Sequence, residues 1–130
     1  MTSNQTTSAE GVSAEIDISL EAAKRKLDEG AVLLDVRNDD EWKAGHAPGA
    51  LFVPLPRLES DLAEAVKEIT EASGDREIVV ICRSGVRSRK AAEILRQEGH
   101  LAYNIVGGMK AWARANLPME SETSSEPKVI

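Results

Sequence analysis

The sequence predicts an α/β domain with a parallel sheet covered by helices on both faces, and three observations lead there. Short apolar runs at 31–36, 51–53, 77–81 and 103–106 alternate with stretches whose apolar residues recur at helical spacing. The run Ile78-Val79-Val80-Ile81 is apolar without interruption, as a strand buried on both faces must be. Glycine and proline breaks fall between these segments rather than inside them.

Taken in order, Ser19 is placed to cap a helix that carries Leu20, Ala23 and Leu27 on one face and ends at Gly30. The strand at 31–36 follows, and a second strand at 51–53 is ended by Pro54 and Pro56. Leu58, Leu62, Val66 and Ile69 then recur at helical spacing, which predicts one helix lying on the sheet until Gly74-Asp75 breaks it. After the strand at 77–81 and a short loop comes a helix with Ala91, Ile94 and Leu95 inward and Gly99 as its stop. A last strand at 103–106 turns at Gly107-Gly108 into a short helix around Trp112, which ends before Pro118. Residues 1–14 and 120–130 are polar, rich in Ser, Thr and Glu, and predict disordered ends around one domain at 15–119.

The only cysteine, Cys82, stands where the strand at 77–81 hands over to a helix. Unpaired backbone N–H groups and the helix dipole favour an anion at such a place, so the position suits a thiolate nucleophile. Arg83, Ser84, Gly85, Val86, Arg87 and Ser88 follow it. Gly85 lets the backbone turn tightly so that N–H groups converge, and Arg83 and Arg87 bring permanent positive charge. Four residues separate Cys82 from Arg87, a ring of amides small enough to suit one extra sulfur atom on the cysteine better than a phosphate group.

Cys-Arg-Ser-Gly-Val-Arg-Ser resembles the active-site loop of the rhodanese (thiosulfate sulfurtransferase) family. Leu33-Leu34-Asp35-Val36-Arg37 followed by Glu41-Trp42-Lys43-Ala44-Gly45-His46-Ala47-Pro48-Gly49-Ala50 resembles that family's amino-terminal motif, and Gly107-Gly108-Met109-Lys110-Ala111-Trp112 its carboxy-terminal one. One departure is Ala47, where many relatives carry a larger apolar residue. The resemblance covers roughly 16–119 and implies a five-stranded parallel sheet whose first strand is short and near 16–18. It also implies double displacement through a Cys82 persulfide. Thiosulfate donates the sulfane sulfur, Arg83 and Arg87 hold its sulfonate oxygens, and the loop amides from Ser84 to Ser88 cradle the persulfide. Cyanide in the assay, a cellular thiol or an acceptor protein then removes the sulfur, and no cofactor is needed.

Two rivals stand beside this reading. A cysteine phosphatase or arsenate reductase of related fold uses five residues between its cysteine and arginine, one more than here. A rhodanese module kept only for protein binding would not need its cysteine. Asp35 and Arg37 fall on the same rim as Cys82 and are supporting residues, better read as an ion pair fixing two loops than as substrate-facing groups. His46 reads as hydrogen-bonded to its turn, because a low-pKa thiolate needs no general base. Trp42 and Trp112 read as packing anchors in a chain with 3% aromatic residues, and His100 as exposed and inert.

A lone cysteine excludes an internal disulfide framework, a paired-cysteine metal site and an internal resolving thiol, and it is most at home in a reducing compartment. The first residues carry neither a basic segment nor an apolar run, which leaves a cytoplasmic address and no membrane partner as the expectation. A net charge of −6 argues against nucleic-acid binding, which needs an excess of lysine and arginine. Arg83, Arg87, Arg89 and Lys90 reverse that balance locally, although Arg89 and Lys90 fit a solvated helix face.

Overall fold

A computed structural model describes residues 15–130. Five parallel strands form one sheet in the order β1-β5-β4-β2-β3, with β1 Asp17–Ile18, β2 Val32–Asp35, β3 Leu51–Phe52, β4 Ile78–Ile81 and β5 Ala102–Ile105. The helices are α1 Leu20–Asp28, α2 Asp39–Ala44, α3 Leu55–Ser60, α4 Leu62–Ser73, α5 Val86–Gln97 and α6 Gly108–Arg114.

The alternation of side chains along the central strand divides the core in two. Ile78 and Val80 point to the layer holding Leu55, Leu58, Ile69, Ala91 and Leu95 of α3, α4 and α5. Val79 and Ile81 point to the other layer, with Ala23 of α1 and Met109 and Trp112 of α6. Because β4 is buried on both faces, each of its side chains contributes about 1.5–3 kcal/mol of burial. Parallel register sets Asp35 opposite Ile81, so the chain leaves β2 and β4 at the same rim, as expected.

Ser19 caps α1 by accepting the N–H of Ala22 at 3.1 Å, and Gly30 ends that helical segment with a positive φ of 110°. Three features depart from the sequence reading. The single helix expected through Leu58 and Ile69 is two helices, broken at Asp61, where φ is −139° and ψ 54°. Pro54 caps α3 and Pro56 lies in its first turn, where a missing N–H costs nothing, so the prolines open a helix as well as close a strand. Helix α2 is the second departure. Its six residues hold no apolar stripe for periodicity to detect, and its start is fixed by the Asn38 N–H donating to Glu41 Oε1 at 3.0 Å.

The third correction concerns 120–130, expected to be a disordered tail. The segment runs against α2 instead. Glu120 and His46 exchange backbone hydrogen bonds of 2.9 Å each, Glu122 N–H donates to Lys43 O at 2.9 Å, and Lys128 N–H to Ala44 O at 3.0 Å. The end of a helix leaves carbonyls without intrahelical donors, and this segment supplies them. Val129 also packs on the second core layer. A Cβ at Gly45 would sit 2.5 Å from the Lys128 carbonyl oxygen, so the close crossing requires glycine there. The segment 1–14, expected to be disordered, lies outside the described residues. Among the described residues no helix is long and apolar enough to cross a membrane.

Candidate active site

The chain leaves β4 at Ile81, and the next residue, Cys82, is 1% exposed. Its sulfur accepts the Gly85 N–H at 3.1 Å and lies 3.2 Å from Ser88 Oγ. That turn is possible because Gly85 sits before α5 with φ of 110°, a conformation side chains other than glycine's resist. Ser84 and Val86 lie on the open side of the loop, Val86 at 77% exposure, whereas Ser88 is fully buried. The loop carbonyls are held from the opposite side, since the first N–H groups of α6 point at them. Met109 N–H donates to Cys82 O at 2.7 Å and Lys110 N–H to Arg83 O at 3.1 Å. At Gly108 a Cβ would overlap the Cys82 carbonyl and sit 2.7 Å from the Arg83 oxygen, and φ is 53°. The Gly107-Gly108 pair thus lets α6 approach the loop backbone closely enough to clamp it.

Burial pushes the Cys82 thiol up, but the hydrogen bonds its ionised form takes from the Ser88 hydroxyl and from the backbone N–H groups of Ser88, Gly85 and Ser84 outweigh it. The thiol therefore lies below its ordinary pKa. Because the group ionises by losing a proton, the thiolate fraction rises through a lower pH window than in a free cysteine. The rate of alkylation against pH is expected to show its midpoint below that of free cysteine. A midpoint at or above the free value would mean that burial wins.

The arginines of the loop are not left open to solvent alone. Arg87 grips Glu41 with both terminal nitrogens, Nη1 to Oε1 at 2.8 Å and Nη2 to Oε2 at 2.9 Å. This bidentate pair ties α5 to α2 and, together with the Asn38 N–H, holds the Glu41 carboxyl below its usual range. Arg83 is exposed and donates from Nε to the Ile130 carbonyl at 2.9 Å, so the segment at 120–130 ends beside the loop. Asp35 and Arg37, both 0% exposed, form the ion pair the sequence suggested. Asp35 Oδ1 accepts Arg37 N and Nε at 3.0 Å, Oδ2 accepts Nη2 at 2.8 Å, and Nη2 also donates to Gly45 O at 2.8 Å. His46 stacks on Trp42 at 3.6 Å and bonds the Trp42 carbonyl through Nδ1 at 2.7 Å, the turn-holding role expected of it. His100 differs from expectation in that it is half-buried and bonded to Thr70 at 2.8 Å.

Sequence reasoning missed two members of this constellation. Glu41 reaches Arg87 from 46 residues away, and nothing local announces the partnership. Asn104, 3% exposed on β5, takes the Ser88 hydroxyl on Oδ1 at 2.5 Å and donates from Nδ2 to Asp17 Oδ1 at 2.9 Å and Gly85 O at 3.1 Å. Its signal was an amide side chain between Tyr103 and Ile105 in an otherwise apolar strand, because buried amides need partners.

Comparison with known proteins places these features in company. A family model described as a rhodanese-like domain matches residues 19–115. A sulfurtransferase of Allochromatium vinosum is 35% identical over 106 residues, spanning 79% of this chain and 92% of that protein. A Bacillus subtilis protein named as a sulfur carrier is 38% identical over 108 residues, 81% of this chain, and the chain spans only 55% of that relative's length. The crystal structure of a rhodanese-like domain protein from Staphylococcus aureus is 32% identical with a TM-score of 0.60, over 74% of this chain and 89% of its own. The human single-domain sulfurtransferase is 30% identical with a TM-score of 0.64, over 76% of this chain and 96% of its own.

Proposed function

The chain belongs to the rhodanese family, and from that premise we propose that it is a sulfurtransferase that accepts a sulfane sulfur from thiosulfate on Cys82 and passes it to a thiophilic acceptor. The observation that carries this is the Cys82 sulfur at the base of α5, contacted by the Gly85 N–H and the Ser88 hydroxyl inside a four-residue ring. The Cys82 thiolate attacks the outer sulfur of thiosulfate. A bond forms between Sγ and that sulfur, the sulfur–sulfonate bond breaks, and its electron pair leaves on sulfite. The outer sulfur is then carried as a persulfide anion, facing the N–H groups of Ser84 to Ser88. Cyanide in the assay, a thiol or a sulfur-acceptor protein attacks it and restores the thiolate. A reducing, cytoplasmic setting suits a catalyst that depends on one free thiol.

The sequence reading gave both arginines to the sulfonate. With Arg87 held by Glu41, this reading gives the sulfonate chiefly to the exposed Arg83 and leaves Arg87 to hold the loop against α2 and to offset negative charge on the sulfur. Loop size separates this chemistry from the phosphatase alternative, since a tetrahedral oxyanion on the cysteine needs a wider ring. Steady-state kinetics with thiosulfate and cyanide are expected to give parallel double-reciprocal lines, as a double displacement requires, with aryl phosphate hydrolysis at background. Converging lines would contradict the persulfide route, and phosphate turnover comparable to sulfur transfer would favour the phosphatase reading.

A further inference from the structure

The Ser88 hydroxyl has one proton and two claimants. Its oxygen is 2.5 Å from Asn104 Oδ1 and 3.2 Å from Cys82 Sγ. The orientation of the Asn104 amide follows from its other neighbours, because Asp17 Oδ1 and Gly85 O can only accept, so the group facing them is Nδ2. Oδ1 must then face Ser88. Two oxygens at that separation attract only if a proton lies between them, and Oδ1 has none to give. The Ser88 proton is therefore on the Asn104 side, and a lone pair of Ser88 faces the sulfur. Asp17 is itself fixed from outside by Arg89, which holds its other carboxylate oxygen.

We propose that Asn104 is a positioning residue that turns the Ser88 hydroxyl away from Cys82 in the resting protein and thereby restrains ionisation of the thiol. The inference rests on Cys82 as the nucleophile. In the neutral state the chain of bonds runs from the Cys82 S–H to Ser88 Oγ and from the Ser88 O–H to Asn104 Oδ1, with every group satisfied. When the thiol gives its proton to solvent, the Ser88 hydroxyl rotates to donate to the thiolate and Asn104 Oδ1 loses its donor. Once Sγ carries a second sulfur it is uncharged, and the hydroxyl returns to Asn104. The bond to sulfur is thus made only in the charged state, at the expense of a short buried one. The neutral form of the thiol also resists oxidation, which acts on the thiolate.

The charged groups carried by the elements packed around the Cys82 loop are the Arg87–Glu41 and Asp35–Arg37 pairs, Arg83 of the loop, Asp17 of β1 with Arg89, and Lys110 of α6. A change at Asn104 or Ser88 removes none of these charges, and of these groups only Asp17 loses a bond, the one its Oδ1 accepts from Asn104 Nδ2.

The test is the pH midpoint of Cys82 alkylation by iodoacetamide, which needs no sulfur donor. Asn104→Leu is expected to lower the midpoint by about one unit, roughly tenfold more thiolate at a given pH. Ser88→Ala should raise it, and Ser88→Ala/Asn104→Leu should match Ser88→Ala alone. An unchanged or raised midpoint in a folded Asn104→Leu, or a fall that persists without Ser88, would overturn the proposal. Should that variant fail to fold, the unaltered protein gives the answer by nitrogen-15 NMR. The Asn104 side-chain amide should titrate with the alkylation midpoint and lose that titration in Ser88→Ala, and an amide indifferent to pH in the unaltered protein would refute the relay. Absent sulfur transfer with this alkylation pattern intact would count against the proposed reaction and leave the role of Asn104 standing.

Discussion

Cys82→Ser is expected to fold like the parent and to lose thiosulfate:cyanide sulfur transfer by about 10⁴-fold or more, to the assay background. The oxygen can accept the Gly85 N–H that now meets the sulfur, and the exchange leaves a nearly isosteric, fully enclosed side chain, so stability should change by only about 1 kcal/mol. Chemistry fails for a different reason. An alcohol at neutral pH offers neither the anion that attacks a sulfane sulfur nor the leaving group that releases one. Thiocyanate release with circular dichroism as the folding control makes the distinction, and activity retained by a folded Cys82→Ser protein would remove Cys82 from the mechanism.

The second large effect is on stability. Asp35→Ala should cost about 3–5 kcal/mol, because it leaves the Arg37 guanidinium buried with its charge uncompensated. Asp35 supplies both carboxylate oxygens to that group, Arg37 is 0% exposed, and its Nη1 has no hydrogen-bond partner among the described residues. Against a typical domain stability of about 5–15 kcal/mol, the urea midpoint should fall steeply. The contrast is Arg57→Ala. Its bond to Glu68 is no longer, at 2.6 Å, but both side chains are well exposed, so less than about 1 kcal/mol should be lost. An Asp35→Ala protein within 1 kcal/mol of the parent, yet inactive, would move Asp35 from the scaffold to the substrate.

What could be seen in the sequence was what local chemistry writes down. The unbroken run 78–81 and the glycines at 30, 85, 99 and 107–108 gave strands, helix ends and the Cys82 loop within a residue or two, because burial on two faces and positive φ leave marks at single positions. The Asp35–Arg37 pair was visible for the same reason, with a single residue between the partners at one strand end. Contacts across the chain were not visible. Composition marked 120–130 as disordered because it is polar, while what holds it is backbone pairing to Lys43, Ala44 and His46, which no side-chain pattern records. Arg87 looked free for substrate because Glu41 lies far away in sequence, and Asn104 looked incidental because its neighbours Ser88 and Asp17 come together only when β1, β5 and α5 are assembled. Pro56 misled for a subtler reason, since proline ends a strand and begins a helix with equal ease.

Mass spectrometry of the intact protein and its peptides after brief treatment with thiosulfate, without any acceptor, tests the persulfide most directly. A mass gain of one sulfur atom, confined to the peptide carrying Cys82, matched by one sulfite released per protein and reversed by cyanide, is the expected result. A protein that turns over thiosulfate and cyanide while Cys82 remains unmodified, or that gains its sulfur elsewhere, would contradict it.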